Sequence, residues 1–398
     1  WKGAYERLNA TNNFPEVTGR ICPAPCEHAC VLNIEQEPVT IRENEVAIVE
    51  KAFSEGYVKP APPSIRTGKS VAVIGSGPAG MAAADLLNKA GHYVTLFEKD
   101  EKAGGLMRFG IPDFKLSKAV IDRRLDVMVK EGLILKTGIT VGRDIAASEI
   151  LNQFDAVCIA IGAGKPRDLN IEGRELNGIH FAMDFLSAQN RINSGHSHSI
   201  ENEINAENKK VLVIGGGDTG SDCVGTAIRQ RASKVTQIEI LPKPPLTRTP
   251  DNPWPYYGKV LKTSTSHEEG CERMWCLSSK RFTGVNGHVT GVEVEEVRWE
   301  NNDGRFTMKP VPGTLKIIEA DLILLAMGFV HPVIEGLVSE LNLELDARNN
   351  IKTNGAFSTS VGKVFAAGDS VSGASLVVHA IASGRKAAKE IDRFLMGR

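Results

Sequence analysis

An α/β fold is predicted for this chain by three observations. Val71 to Gly80, VAVIGSGPAG, is a short apolar run that empties into three glycines, Gly75, Gly77 and Gly80. Val211 to Gly220, VLVIGGGDTG, repeats the design with Gly215, Gly217 and Gly220. Ahead of both lies CPAPCEHAC, in which Cys22, Cys26 and Cys30 fall four apart. Each glycine run reads as strand, tight turn and helix: the first glycine permits the turn, the second admits a pyrophosphate to the backbone, and the third lets helix and strand pack closely. The expected architecture is two dinucleotide-binding, Rossmann-like domains, with the NAD(P) domain inserted in the FAD domain and a small helical segment of iron–sulfur type in front. Its expected divisions are 1–64, 65–170, 171–330 and 331–398.

Composition bounds the function. At 398 residues, with 42% apolar and 24% charged residues, the chain is long enough for two or three domains and suits a soluble α/β protein. A net charge of −1 argues against nucleic acid or an anionic membrane as the main partner. No apolar run approaches the roughly 20 residues that span a bilayer. Seven cysteines, three clustered and four scattered, do not form a secreted disulfide framework, so a cytoplasmic setting is expected. The chain starts at Trp1 within a helical pattern, which reads as a fragment whose upstream signals lie outside the sequence.

Trp1 to Ala10 is expected to be helical. In the cysteine run that follows, short loops can bring thiolates onto an iron–sulfur cluster or zinc. The alternative is small buried residues in a proline-stiffened loop, and three cysteines do not complete a four-ligand site. Pro38 to Ala52 reads as a helix carrying Glu45, and Pro60, Pro62 and Pro63 as a stiff linker. In the first module Pro78 and Ala79 lie between the glycines. The β-type run Tyr93 to Phe97 ends at Glu98, placed for a ribose hydroxyl, with Lys99 next. Gly104 and Gly105, followed by Leu106, would allow close backbone approach to a flavin. Ser117 to Gly132 reads as a helix with a solvated charged face, and Phe154 to Ile161, running into Gly162, as a buried strand.

Ile179 to Ala188 reads as helix and Arg191 to Asn208 as loop, with His196 and His198 as solvated loop residues. The second module adds Asp218 and Thr219 in its turn, and a strand, Val235 to Leu241, bearing Glu239, nineteen positions past Gly220. Glu239 favours the free 2′-hydroxyl of NAD(H), whereas Lys243 and Arg248 could meet the 2′-phosphate of NADP(H), so the donor stays open. Pro242 to Pro255 is too proline-rich for helix or strand. Val289 to Arg298 and Phe306 to Pro310 read as antiparallel strands. Ala320 to Gly328 is a buried strand ending in glycine. Lys363 to Asp369 then delivers Gly368 and Asp369 to a helix starting near Ser375, where Asp369 can bond a ribityl chain or serve as an N-cap.

These stretches closely resemble the glutamate synthase small (beta) subunits, within the flavoproteins that carry two dinucleotide-binding domains. The most specific are NNFPEVTGRICPAPCEHAC, VAVIGSGPAG, AGGLMRFGIPDFKL, VIGGGDTGSDC, DNPWP and VFAAGDSVSGASLVVHAI. DNPWP points to that branch rather than to the dihydropyrimidine dehydrogenase N-terminal half or related ferredoxin-NADP oxidoreductases. The resemblance implies hydride transfer from NADPH to FAD and electron transfer through two 4Fe-4S clusters to the FMN of a large (alpha) subunit, where glutamate is made. It implies Cys22, Cys26 and Cys30 as cluster ligands and Glu45 as a non-cysteine ligand. The family's further cysteine-rich segment lies before Trp1, so FAD without intact clusters is expected here.

No catalytic base is required, since hydride transfer between stacked rings depends on positioning. A thioredoxin-reductase activity would need a C-x-x-C in the second module, where Cys223 stands alone. A related NAD(P)H oxidoreductase with another acceptor, such as ferredoxin or a pyrimidine-reducing partner, is the alternative enzyme. A scaffold without catalysis is the alternative outside that class.

Overall fold

The computed structural model describes residues 1–195, 204–302 and 305–398; His196 and His198 lie outside the described residues. The chain forms two units. One comprises Trp1–Arg108, Asp113–Lys165 and Phe329–Arg398, the other Phe109–Pro112 and Pro166–Gly328.

The first unit is built on a five-stranded parallel sheet in the order Val364–Ala366, Ala156–Ile159, Ser70–Ile74, Tyr93–Phe97 and Ile134–Lys136. Ser70–Ile74 pairs with Tyr93–Phe97 on one side and Ala156–Ile159 on the other, all in parallel. Val71 to Ile74 are all buried, the pattern of a strand covered on both faces. The chain winds outward from Ser70–Ile74 in one direction and then in the other, so strand order reverses beside its carboxyl end. That switch point is where open α/β sheets hold ligands.

The returning C-terminal helix, Val377–Met396, buries Ala380, Ile381, Gly384, Ala387, Ala388 and Ile391, a stripe at helical spacing. It lies so close to helix Pro78–Lys89 that a Cβ at Gly384 would fall 2.1 Å from the Ala79 carbonyl oxygen.

The first 57 residues fold as helices Lys2–Thr11, Pro15–Ile21, Pro25–His28 and Ile41–Ser54, with a short 3₁₀ turn at Val31–Ile34. They dock on helix Lys118–Lys130. This corrects part of the solvated face expected there: Asp122, Asp126 and Lys130 are exposed, but Arg124 is 4% exposed and bonded to the fully buried Glu16 through Nε to Oε1 at 2.5 Å and Nη2 to Oε2 at 3.1 Å. Burial works against the Arg124 charge, but Glu16 more than compensates and holds its pKa above the ordinary value. Arg123 bonds Glu50 and lies 4.0 Å from the Phe53 ring centre. Interleaved charges resemble a wet face until another segment supplies matching carboxylates.

The second unit repeats the sheet order: Ile179–Phe181, Leu322–Leu325, Lys210–Ile214, Lys234–Ile238 and Glu272–Met274. Here the outer strand beside the switch comes from before the module instead of from the chain's end. Ile179–Phe181 was expected as helix, but it pairs with Ile323–Leu325, and the helix is Ala182–Asn193. A three-residue strand carries too little pattern to oppose the helical stretch that follows it.

Helix Ala182–Asn193 also overruns the expected loop at Arg191. Its Asn190 is buried and donates to the carbonyls of Phe109 and Ile111. The antiparallel strands His288–Asn302 and Arg305–Pro310 pair as expected. Leu277–Val285 and Lys316–Glu319, which the sequence reading left out, flank His288–Asn302.

Glu16→Ala leaves the Arg124 charge buried and unpaired. It is expected to lower stability by about 3–5 kcal/mol in urea unfolding, with Glu16→Gln intermediate.

Candidate functional site

The two glycine turns share one geometry. In the first, Gly75 has φ +100, and a Cβ there would meet the Ala160 carbonyl oxygen at 2.4 Å. A Cβ at Gly80 would fall 1.8 Å from the Gly75 oxygen. In the second, Gly215 has φ +126 and would strike the Ala326 oxygen at 2.2 Å, and Gly220 would strike the Gly215 oxygen at 2.4 Å. The middle glycines differ from both: Gly77 and Gly217 have extended backbones, precede helices Pro78–Lys89 and Asp218–Arg229, and have no heavy atom within 4 Å of a built Cβ. Two glycines per turn are therefore fixed by packing, while the middle one leaves open space before unpaired helix amides. Such a cradle suits a phosphate.

The acids past each turn are held differently. Glu98 is buried and accepts from the Ser76 N–H at 3.0 Å, the Ser76 hydroxyl and the Asp100 N–H at 3.0 Å. Ser76 also receives the Gly104 N–H at 2.9 Å, and a Cβ at Gly105 would lie 2.9 Å from the Gly77 Cα. The Gly104–Gly105 loop is thus laced to the phosphate turn itself. Lys99 and Leu106 are exposed. In the second module Ser76 is replaced by Gly216. The Glu239 carboxylate lies over that glycine, with its Cδ 1.7 Å from where a Cβ would stand.

Gly162 and Gly328 follow matching strands with φ +70 and +80, and both face open space. Pro78 and Asp218 lie at the first position of their helices, and Thr219 is half-buried. Ala79 is buried against Ala160 and Ala380, and a Cβ at Gly368 would meet its Cβ at 2.6 Å, so Ala79 and Gly368 serve packing. Asp369 opens the short helix Asp369–Ser372 and accepts the Ser375 hydroxyl at 2.6 Å. Burial pushes its carboxyl up, against the pull of Ser375 and His379.

A hydrogen-bonded chain that the sequence reading did not contain supports the second turn. Gln237 Nε2 donates to the Gly215 carbonyl at 2.8 Å, leaving its Oε1 to accept from His267 Nε2–H at 2.9 Å. His267 Nδ1 then accepts the Ser264 N–H at 3.1 Å, and Ser264 and Ser221 share a 2.5 Å contact. The amide orientation fixes the imidazole tautomer.

The cysteine segment places Cys22, Cys26 and Glu45 near enough for their charges to interact. Burial raises the Cys22 and Cys26 thiols, whereas backbone hydrogen bonds at Val39 and Leu32 lower Cys30. Glu45 accepts from the Thr18 hydroxyl at 2.9 Å and from Asn12 at 3.4 Å. Among the described residues no three His, Cys, Asp or Glu side chains are grouped to hold a metal.

Residues 69–384 match the family described as "Pyridine nucleotide-disulphide oxidoreductase", and residues 1–57 match "Dihydroprymidine dehydrogenase domain II, 4Fe-4S cluster". The whole chain is 50% identical to the glutamate synthase [NADPH] small chain of Mycobacterium tuberculosis, covering 81% of that protein. It is 46% identical over its full length to the glutamate synthase [NADH] of Saccharomyces cerevisiae, of which it spans 19%. The solved structure of Mycobacterium tuberculosis FprA in complex with NADPH shares the fold, with a TM-score of 0.65 at 17% identity over 83% of this chain and 85% of that one. Two glycine turns of one geometry, within a chain so matched along its length, place it among the pyridine nucleotide-disulphide oxidoreductases, as a member of the glutamate synthase small-chain family.

Proposed function

We propose that this chain is the electron-input subunit of a glutamate synthase, an NAD(P)H-dependent FAD oxidoreductase that passes electrons to a large subunit where glutamate is formed. The observation that carries the reading is the duplicated turn with a locked first and third glycine and an open middle one. One such turn serves one dinucleotide, and two in a chain suit a nicotinamide donor and a flavin acceptor. A cytoplasmic setting without nucleic-acid or membrane partners belongs to the same proposal. Among the described residues no helix is long and apolar enough to cross a membrane.

FAD, when bound, accepts a hydride and releases single electrons. The chain's part is placement. Gly77 and the first amides of helix Pro78–Lys89 would cradle the pyrophosphate, and Glu98, with Ser76 and Asp100 already on it, would present its remaining acceptor capacity to the ribose. Asp369 would take a hydroxyl of the ribityl chain. Gly217, Asp218 and Thr219 would play the cradle role for the nicotinamide dinucleotide. Cys22, Cys26, Cys30 and Glu45, in the segment that matches a family described by its 4Fe-4S cluster, would supply ligands for onward electron transfer.

Anaerobic titration with NADPH and, separately, NADH is expected to bleach a flavin band near about 450 nm. A protein that stays colourless and inert after added FAD would overturn the reading.

Gly75→Ala forces a side chain into the Ala160 carbonyl at positive φ and is expected to cost about 2–5 kcal/mol. Gly77→Ala should change the stability of the apoprotein by about 1 kcal/mol or less. It should nonetheless weaken FAD retention, read by thermal midpoints with and without FAD.

Because the Asp369 carboxyl is raised above its ordinary value of 3.8, the folded state holds that proton more tightly than the unfolded chain. Its contribution is therefore most favourable at low pH and is lost as pH rises through the raised value. Asp369→Asn is expected to leave the neutral-pH midpoint of the apoprotein unchanged or higher and to flatten that pH dependence. FAD affinity should fall about tenfold or more, for one lost hydrogen bond to a charged group.

A further inference from the structure

The geometry points to the Glu239–Arg273 ion pair as the coenzyme selector of the second turn, with the Arg273 guanidinium taking a 2′-phosphate and the Glu239 carboxylate opposing it while accepting from a free 2′-hydroxyl. This rests on the nicotinamide reading of that turn given above and names the residues that choose between NADP(H) and NAD(H).

Glu239 is fixed by its backbone, whose N–H donates to the Met274 carbonyl at 2.9 Å and whose carbonyl accepts the Leu277 N–H at 3.0 Å. Its carboxylate is thereby held over Gly216, within the phosphate turn. The matching acid of the first turn, Glu98, already accepts from Ser76 and Asp100, whereas a glycine at 216 offers no hydroxyl. The counterpart of Glu239 is instead Arg273, at the end of the neighbouring strand Glu272–Met274, with Nη2 3.9 Å from Oε1. That distance is longer than a hydrogen bond, so the pair attracts without being clamped. Burial pushes the Glu239 carboxyl up, and Arg273 and Trp275 pull it down.

Arg273 is oriented but not exhausted. Nη1 donates to the Lys262 carbonyl at 3.0 Å, and the guanidinium lies 5.1 Å from the Trp275 ring centre. Its Nε is buried with no hydrogen-bond partner among the described residues. The Nη2 that faces Glu239 is the donor a phosphate oxygen would meet.

The other basic residues near the turn are placed differently. Arg248, which the sequence left open as a contact for a 2′-phosphate, spends Nη1 on the carbonyls of Tyr256 at 2.7 Å and Asn252 at 3.4 Å. Lys243 stands exposed, 5.1 Å from the Trp275 ring. A 2′-phosphate brings up to two negative charges toward a carboxylate, so admitting it depends on the guanidinium beside that carboxylate.

The test is equilibrium binding of oxidised NADP⁺ and NAD⁺, with 2′,5′-ADP and 5′-ADP as fragments, to the FAD-loaded full chain by calorimetry. Glu239→Gln should tighten NADP⁺ and 2′,5′-ADP about tenfold while weakening NAD⁺, and Arg273→Gln should weaken the two 2′-phosphorylated ligands about tenfold while moving NAD⁺ less than about threefold. Arg273→Lys keeps the charge and should restore part of the NADP⁺ binding, which separates the role from a purely structural one. Variants that shift both coenzymes by the same factor would overturn the selector. A wild-type chain that binds neither coenzyme would overturn the nicotinamide reading and the selector together.

Discussion

The structure depends on backbone touching backbone. At Gly75 the first strand passes so near Ala160 that a Cβ would fall 2.4 Å from its carbonyl oxygen, and helix Pro78–Lys89 begins so near Gly75 that Gly80 has no room for one either. Dense packing of this kind tolerates no added methyl group. It sets the distance between strand Ser70–Ile74, strand Ala156–Ile159 and the helix, and so sets the mouth at the sheet's switch point. The same contact at Gly215, Ala326 and Gly220 does so again in the second unit.

Distant parts of the chain are hung on that contact. Ala79, one residue from Gly80, is met by Gly368 and Gly384 from the C-terminal return, which gives this short segment two more close approaches. Asn13 bonds both Asp85, on helix Pro78–Lys89, and Arg385, on helix Val377–Met396. The N-terminal segment thereby fastens to the two helices that frame the first turn. Its second anchor, Glu16 on Arg124, is a desolvated pair whose value lies in having both partners present.

Duplication of the turn did not duplicate its chemistry. Ser76 bonds one acid and draws the Gly104 loop inward, whereas Gly216 makes room for the other acid to lean over the turn toward Arg273. A single position in the loop thus separates a closed arrangement from one that keeps a charge pair at its rim.

The sequence by itself determined the strand–turn–helix units, the positions of their glycines and acids, and the return of a C-terminal strand and helix, because each is a local pattern that one backbone conformation satisfies. Tyr93–Phe97 and the positions of Gly75 and Gly215 were legible in this way. Tertiary structure alone decided the burial of Arg124, the strand at Ile179–Phe181, the Gln237–His267–Ser264 chain and the meeting of Glu239 with Arg273. In each case the deciding partner lies far along the chain or on a neighbouring strand. Whether a charge is solvated or paired, and whether three residues are strand or helix, is settled by that partner and leaves no periodicity to read.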